Sequence, residues 1–148
     1  MPSIFNPTDN QKIIDRINKL TPDSERQWGK MTVSQMLSHC IAPIDVLLGN
    51  SKIKANFIFQ LLGRLIKRKI INAPELSKNN PTAPEFIRKE NYDFDKTKIE
   101  LIEKLQQFQD GTKVIKTNRH PFFGPMSSQD WDTLQWKHLD HHLRQFGV

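Results

Sequence analysis

Five stretches of the chain bring apolar residues back every three or four positions, the period at which side chains share one face of an α-helix. In the first, Ile13, Ile14, Ile17 and Leu20 line one side, with Thr8-x-x-Gln11 ahead as a capping box and Thr21-Pro22 behind as a stop. The second runs through Val33, Leu37, Cys40, Ile44 and Leu47 to Gly49-Asn50. It opens with Thr32-x-x-Gln35 and carries Met31 and Met36 at hydrophobic-staple positions. Pro43 falls inside it, one turn after His39, and predicts a kink, because proline has no N–H for the carbonyl four residues back. A later run, Ile99, Ile102, Leu105 and Phe108, begins near Asp95 and stops at Asp110-Gly111. The last opens with Ser127-x-x-Asp130, stapled by Met126 and Trp131, and continues through Leu134, His138, Leu139, His142 and Phe146.

Between the second and the later run, Ala55, Ile58, Phe59, Leu62, Leu65, Ile66 and Ile70 share half of a helical wheel with the cations opposite. Such a face is too large to leave in water on a soluble monomer, so Phe59, Leu62 and Ile66 are expected to be covered by the body or a dimer mate. The polar stretch after it holds Pro74, Pro81 and Pro84 and reads as an extended loop. No strand-period segment of useful length appears. The predicted class is all-α: one domain over residues 1–148, a four-helix bundle with an extra amphipathic helix and a long Pro-containing loop between the second and third bundle helices.

A length of 148 residues suits one core, and nine Phe with three Trp supply its bulk. The formal net charge of +6 is local: Lys52, Lys54, Arg64, Lys67, Arg68 and Lys69 lie between Ser51 and Ile71 without an acid, and the remainder balances. No recognition-helix or finger pattern accompanies them, so nucleic acid is not an expected partner, and neither is a membrane. A single cysteine, Cys40, excludes an internal disulfide and a multi-thiolate zinc site; with no signal-peptide pattern at the N-terminus, a cytoplasmic location is expected.

The chemistry concentrates in Trp136-Lys137-His138-Leu139-Asp140-His141-His142. Four residues apart on a helix, His138 and His142 share a face and can converge on one ion. Trp131, Leu134, Gln135 and Gln145 surround the same direction, so that face points into the bundle. Two core histidines bonded to backbone or water are the ordinary alternative. His39, on the flank of the second helix's apolar stripe, can face the pair across the interior. Three imidazoles without a fourth thiolate or carboxylate suit a divalent transition metal, Zn or Ni foremost, and leave a position for water or substrate. Gln35, Gln135 and His141 are the polar candidates to line the pocket. Cys40 points away and reads as a small core residue. His120, in Asn118-Arg119-His120-Pro121-Phe122-Phe123-Gly124-Pro125, belongs to a turn leading into the last helix.

The segments from Trp28-Gly29-Lys30-Met31 to Ser38-His39-Cys40, His120-Pro121-Phe122-Phe123-Gly124, and His138 to Gly147 resemble the DinB-like (YfiT-like) superfamily. More narrowly, they resemble a bacterial branch of it labelled as a domain of unknown function, and the resemblance covers most of the chain. It implies a four-helix bundle that binds a divalent metal through a histidine on the second helix and a His-x-x-x-His pair on the last, positions filled here by His39, His138 and His142. Superfamily members include thiol-dependent S-transferases and isomerases and proteins described as metal-dependent hydrolases, and many are dimers, so a homodimer and a small-molecule or thiol substrate are expected. The insertion from about Ser51 to Asn91 departs from those members. Three functions follow: an enzyme activating water or a low-molecular-weight thiol at an open site, a non-catalytic metal or small-molecule binding bundle with a structural or stress-related role, or a surface or partner-binding role for the basic amphipathic stretch from Ala55 to Ile71.

Overall fold

The computed structural model describes residues 2–54 and 57–148, with the backbone alone at Phe57 and Phe59. Helix α1, Pro7–Asn18, starts two residues earlier than the Thr8 box predicts. Asn6 is its cap: the side-chain oxygen accepts from the backbone N–H of Thr8 and Asp9, and Pro7 occupies the first helical position, where a missing N–H costs nothing. Helix α2, Val33–Leu47, begins with the full Thr32/Gln35 capping box. Helix α3 is Phe57–Asn72 and α4 is Phe94–Gln107, capped by Asp93. Two 3-10 turns follow α3 and α4, at Pro84–Phe86 and Phe108–Val114. Helix α5, Ser128–Gln145, carries the Ser127/Asp130 box. Against the expectation of no strand, residues Arg119–His120 (β1) and Gly124–Pro125 (β2) form a two-residue antiparallel ladder, Arg119 opposite Pro125 and His120 opposite Gly124.

Four helices close a ring: α2 packs on α4, α4 on α1, α1 on α5, and α5 on α2. Their inward stripes make the core, with Ile13, Ile17, Leu37, Ile44, Leu47, Leu101, Leu105, Phe108 and Trp131 fully buried. Each such side chain contributes about 1.5–3 kcal/mol through lost apolar surface. Ile99, read as part of the α4 stripe, is exposed, and Leu101 takes the inward place. Between helices, Lys104 pairs with Asp45 at 2.7 Å and Arg16 with Asp140 at 2.7 Å. Inside, the Asn10 side chain donates to the carbonyls of Ile4 and Leu105, fixing the N-terminal turn on the end of α4.

Helix α3 stands outside the ring, on α5 and β2, and the body does not cover its apolar arc. Leu62 is 53% and Ile66 49% exposed, whereas Gln60 and Gly63 are buried; Ala55 and the Phe59 side chain lie outside the described residues. The reason is backbone proximity. A Cβ at Gly63 would stand 2.0 Å from the Phe122 carbonyl oxygen, so the helix rests on the ladder turn through its one residue without a side chain. Polar contacts flank it, with Gln60 accepting from Arg119 at 3.2 Å and Lys67 donating to the Pro125 carbonyl and to Asp130, while Ile70 and Ile71 pack against the core at the C-terminal end. Lys67 thus faces the body rather than solvent. From α5, Lys137 reaches up and donates to the carbonyls of Ile70, Ile71 and Ala73, filling acceptors that the last turn of α3 leaves open.

Candidate metal centre

Helix α2 brings His39 and helix α5 brings His138 and His142 to one point. Their ring nitrogens include a set that all lie within 4.8 Å of one another, and the Nε2 atoms of His39 and His138 are 2.9 Å apart. His39 and His142 are buried, and His138 is half-buried with its Nδ1 sealed from solvent. The three rings pack nearly edge to face, with centroids 4.7–4.8 Å apart.

Hydrogen bonds at the far side of two rings decide which nitrogens turn inward. His39 Nδ1 lies 2.9 Å from the Phe86 carbonyl oxygen, which can only accept, so the proton sits on Nδ1 and Nε2 presents a lone pair. His142 Nδ1 lies 2.8 Å from Gln145 Oε1. The Gln145 amide cannot be turned over, because its Nε2 donates to the Trp28 carbonyl at 2.8 Å. His142 therefore also carries its proton on Nδ1 and aims Nε2 at the cluster. Gly29 makes this anchor possible: it has φ +80°, and a Cβ there would come within 2.5 Å of the Gln145 amide nitrogen.

Burial keeps the imidazoles neutral. It pushes His39 below its ordinary range against the pull of the Phe86 carbonyl, and pushes His142 down to about 3, aided by the charge His39 would carry. His138 is pushed well down by burial and then by His142, His39, His141 and His120. The charges that push it down are those the other histidines would carry. A single N–H on His138 can serve one neighbouring lone pair, whereas a cation serves three. Neutral, converging imidazoles, two of them with Nε2 oriented by a bonded Nδ1–H, suit a divalent transition metal, and the Nδ1 of His138 has no partner among the described residues. The residues fit such an ion.

The other sequence candidates sit around this point. Gln135 is buried and donates to the Pro43 carbonyl at 3.0 Å, bracing α2 just past the missing proline N–H, while its Oε1 has no partner. His141 is buried; its ring meets His142 at 5.0 Å and Trp28 at 5.6 Å, and its Nδ1 has no partner among the described residues. Gln35 spends its oxygen on the Thr32 cap and its nitrogen on the Glu90 carbonyl, so it ties the loop after α3 to the start of α2. His120 is no member of the cluster: its Nδ1 accepts from the backbone N–H of Phe122 and Phe123 and holds the ladder turn. Cys40 is buried beside Met36, with its thiol pushed far up by burial, so it is no nucleophile. Phe86 and Trp28 were invisible as site residues from spacing, since both act through backbone carbonyls, whereas Gln145 already shared the inward face of the pair.

Over residues 5–147 the sequence matches the family described as protein of unknown function (DUF1569). The chain belongs to this family. No curated protein and no solved structure matches it. Family membership therefore brings no reaction with it, and the chemistry of this DUF1569 chain is read from its own residues.

Proposed function

We propose that this DUF1569 chain is a divalent-metal-binding protein of the DinB-like type, with His39, His138 and His142 as protein ligands, acting on water or a low-molecular-weight thiol. The observation that carries the reading is the pair of fixed tautomers, which aim the Nε2 lone pairs of His39 and His142 at His138. A metal held there would supply Lewis acidity, lowering the pKa of a bound water or thiol. The chain's own contribution is to hold three neutral imidazoles, with no fourth His, Cys, Asp or Glu in the group among the described residues. The ring order of α2, α4, α1 and α5 supports the DinB-like bundle, with α3 and the Pro-containing loop as the insertion.

His141, buried next to His142 with no partner for its Nδ1 among the described residues, is the proton-handling group nearest the ligands. Elemental analysis of protein purified without added metal tests the reading. About one equivalent of Zn or Ni per chain is expected, falling to background in His138→Ala. Background metal in the unaltered chain, together with no uptake on titration, would remove it. Turnover on a panel of esters and thiol acceptors then separates an enzyme from a bundle that only binds metal.

A further inference from the structure

Helix α3 wears its apolar side outward. Leu61, Leu62, Leu65 and Ile66 are 59%, 53%, 77% and 49% exposed, and they form one continuous ridge. The opposite face is fully engaged, by Gly63 on the ladder turn, Gln60 with Arg119, and Lys67 with Asp130. Rotating the helix to hide the ridge would break all three contacts and drive a side chain into the Phe122 carbonyl. The outward ridge is thus a property of the docked helix.

Cations border the ridge. Counting 100° per residue, Arg68 and Arg64 flank one edge and Lys69 stands at its C-terminal end. All three are exposed, as are Lys52 and Lys54 just before the helix, and no acid occurs between Ser51 and Ile71. We infer that α3 docks the protein onto the surface of an anionic phospholipid bilayer, its leucines and Ile66 entering the interfacial zone and its cations meeting the headgroups. Charge selects this occupant over a second copy. A symmetric α3 pair would bring two sets of these cations together with no acid in either segment to balance them, whereas an anionic surface matches ridge and border at once. The attachment is peripheral: among the described residues no helix is long and apolar enough to cross a membrane. Sixteen residues make a rod about 24 Å long that can lie flat in the interface. Because α3 is held to the body by its other face, docking needs no rearrangement of the ring.

The test is co-sedimentation of the full chain with vesicles of phosphatidylcholine alone and of phosphatidylcholine mixed with phosphatidylserine, at low and moderate salt. Binding to the mixed vesicles only, weakened by salt, is expected. The double change Leu62→Glu and Leu65→Glu, at side chains already more than half exposed, should abolish it with the circular dichroism spectrum unchanged. Arg64→Gln with Arg68→Gln should weaken it about fivefold per cation removed. No binding to mixed vesicles at low salt would overturn the inference, and so would binding that survives the double leucine change. A dimer in sedimentation velocity that the leucine changes dissociate, with no vesicle binding, would give the ridge to self-association instead.

Discussion

Gln145 is where orientation and ligation can be separated by one substitution. It touches no ion in the proposed site; it fixes the His142 proton on Nδ1 and is itself fixed by Trp28. Partners of this kind typically govern metal affinity by 10–100-fold. Gln145→Ala should therefore weaken zinc by about that factor in competition titrations while leaving the stoichiometry at that of the unaltered protein, a split that loss of a ligand would not give. His120 makes a second prediction, on acid stability. Burial holds it at about 4 in the folded chain, against about 6.5 when unfolded. As pH falls, the unfolded chain takes the proton first, so stability present above about 6.5 is lost progressively down to about 4. In His120→Asn the amide oxygen can still accept from Phe122 and Phe123. About 2 kcal/mol of the stability lost between pH 7 and pH 5 should then disappear, read by denaturant unfolding with chelator present. The His-x-x-x-His pair was legible because helical spacing is local. The tautomers were not, since they depend on carbonyls of Phe86 and Trp28 that reach α2 and α5 from distant loops.

At the scale of elements, the caps divide instructively. Thr32 and Ser127 could be read because both halves of each box lie within four residues. Thr8 misled because Asn6-Pro7, two residues earlier, offers a better pair: an amide oxygen for two N–H groups and a residue preset for the first turn. Helix α3 misled more deeply. Its periodicity was right, but of the two covers expected for its apolar arc, the body or a dimer mate, the body is not one, because what docks the helix here is Gly63 against a backbone oxygen. Gly63→Ala tests that account. Alanine favours the helix itself by about 1 kcal/mol, so any loss of amide protection in α3 can come only from lifting off the ladder. Faster hydrogen exchange across α3, with α1, α2, α4 and α5 protected as before, is the expected outcome. Unchanged exchange in α3 would mean that the contact is relaxed without undocking.

For the molecule as a whole, the question is whether fold or site comes first. The ring of α1, α2, α4 and α5 buries its apolar stripes without help from the histidines, and structural zinc sites differ in closing with four protein ligands. His138→Ala and chelated protein should both keep their helical circular dichroism at room temperature. Metal should raise the melting temperature only as a ligand does, by about 4 kcal/mol at a thousandfold excess over Kd. Loss of the helical signal in either sample would make the metal structural. The all-α class was readable from periodicity and caps. The two-residue ladder was not, because two paired residues leave no alternating pattern.

Cys40 gives the molecule a built-in clock. It is the only thiol in the chain, it follows His39 on α2, and it is 1% exposed. An alkylating reagent needs a solvated thiolate, so modification waits until α2 swings away from its neighbours. Its labelling rate reports how often that part of the ring opens, and with it how often His39 leaves the other two histidines. A metal binding at the cluster should slow the labelling in proportion to its occupancy. Label would then accumulate first on apo chains, so mass spectrometry of a partially loaded sample would sort apo from metal-bound molecules without separating them.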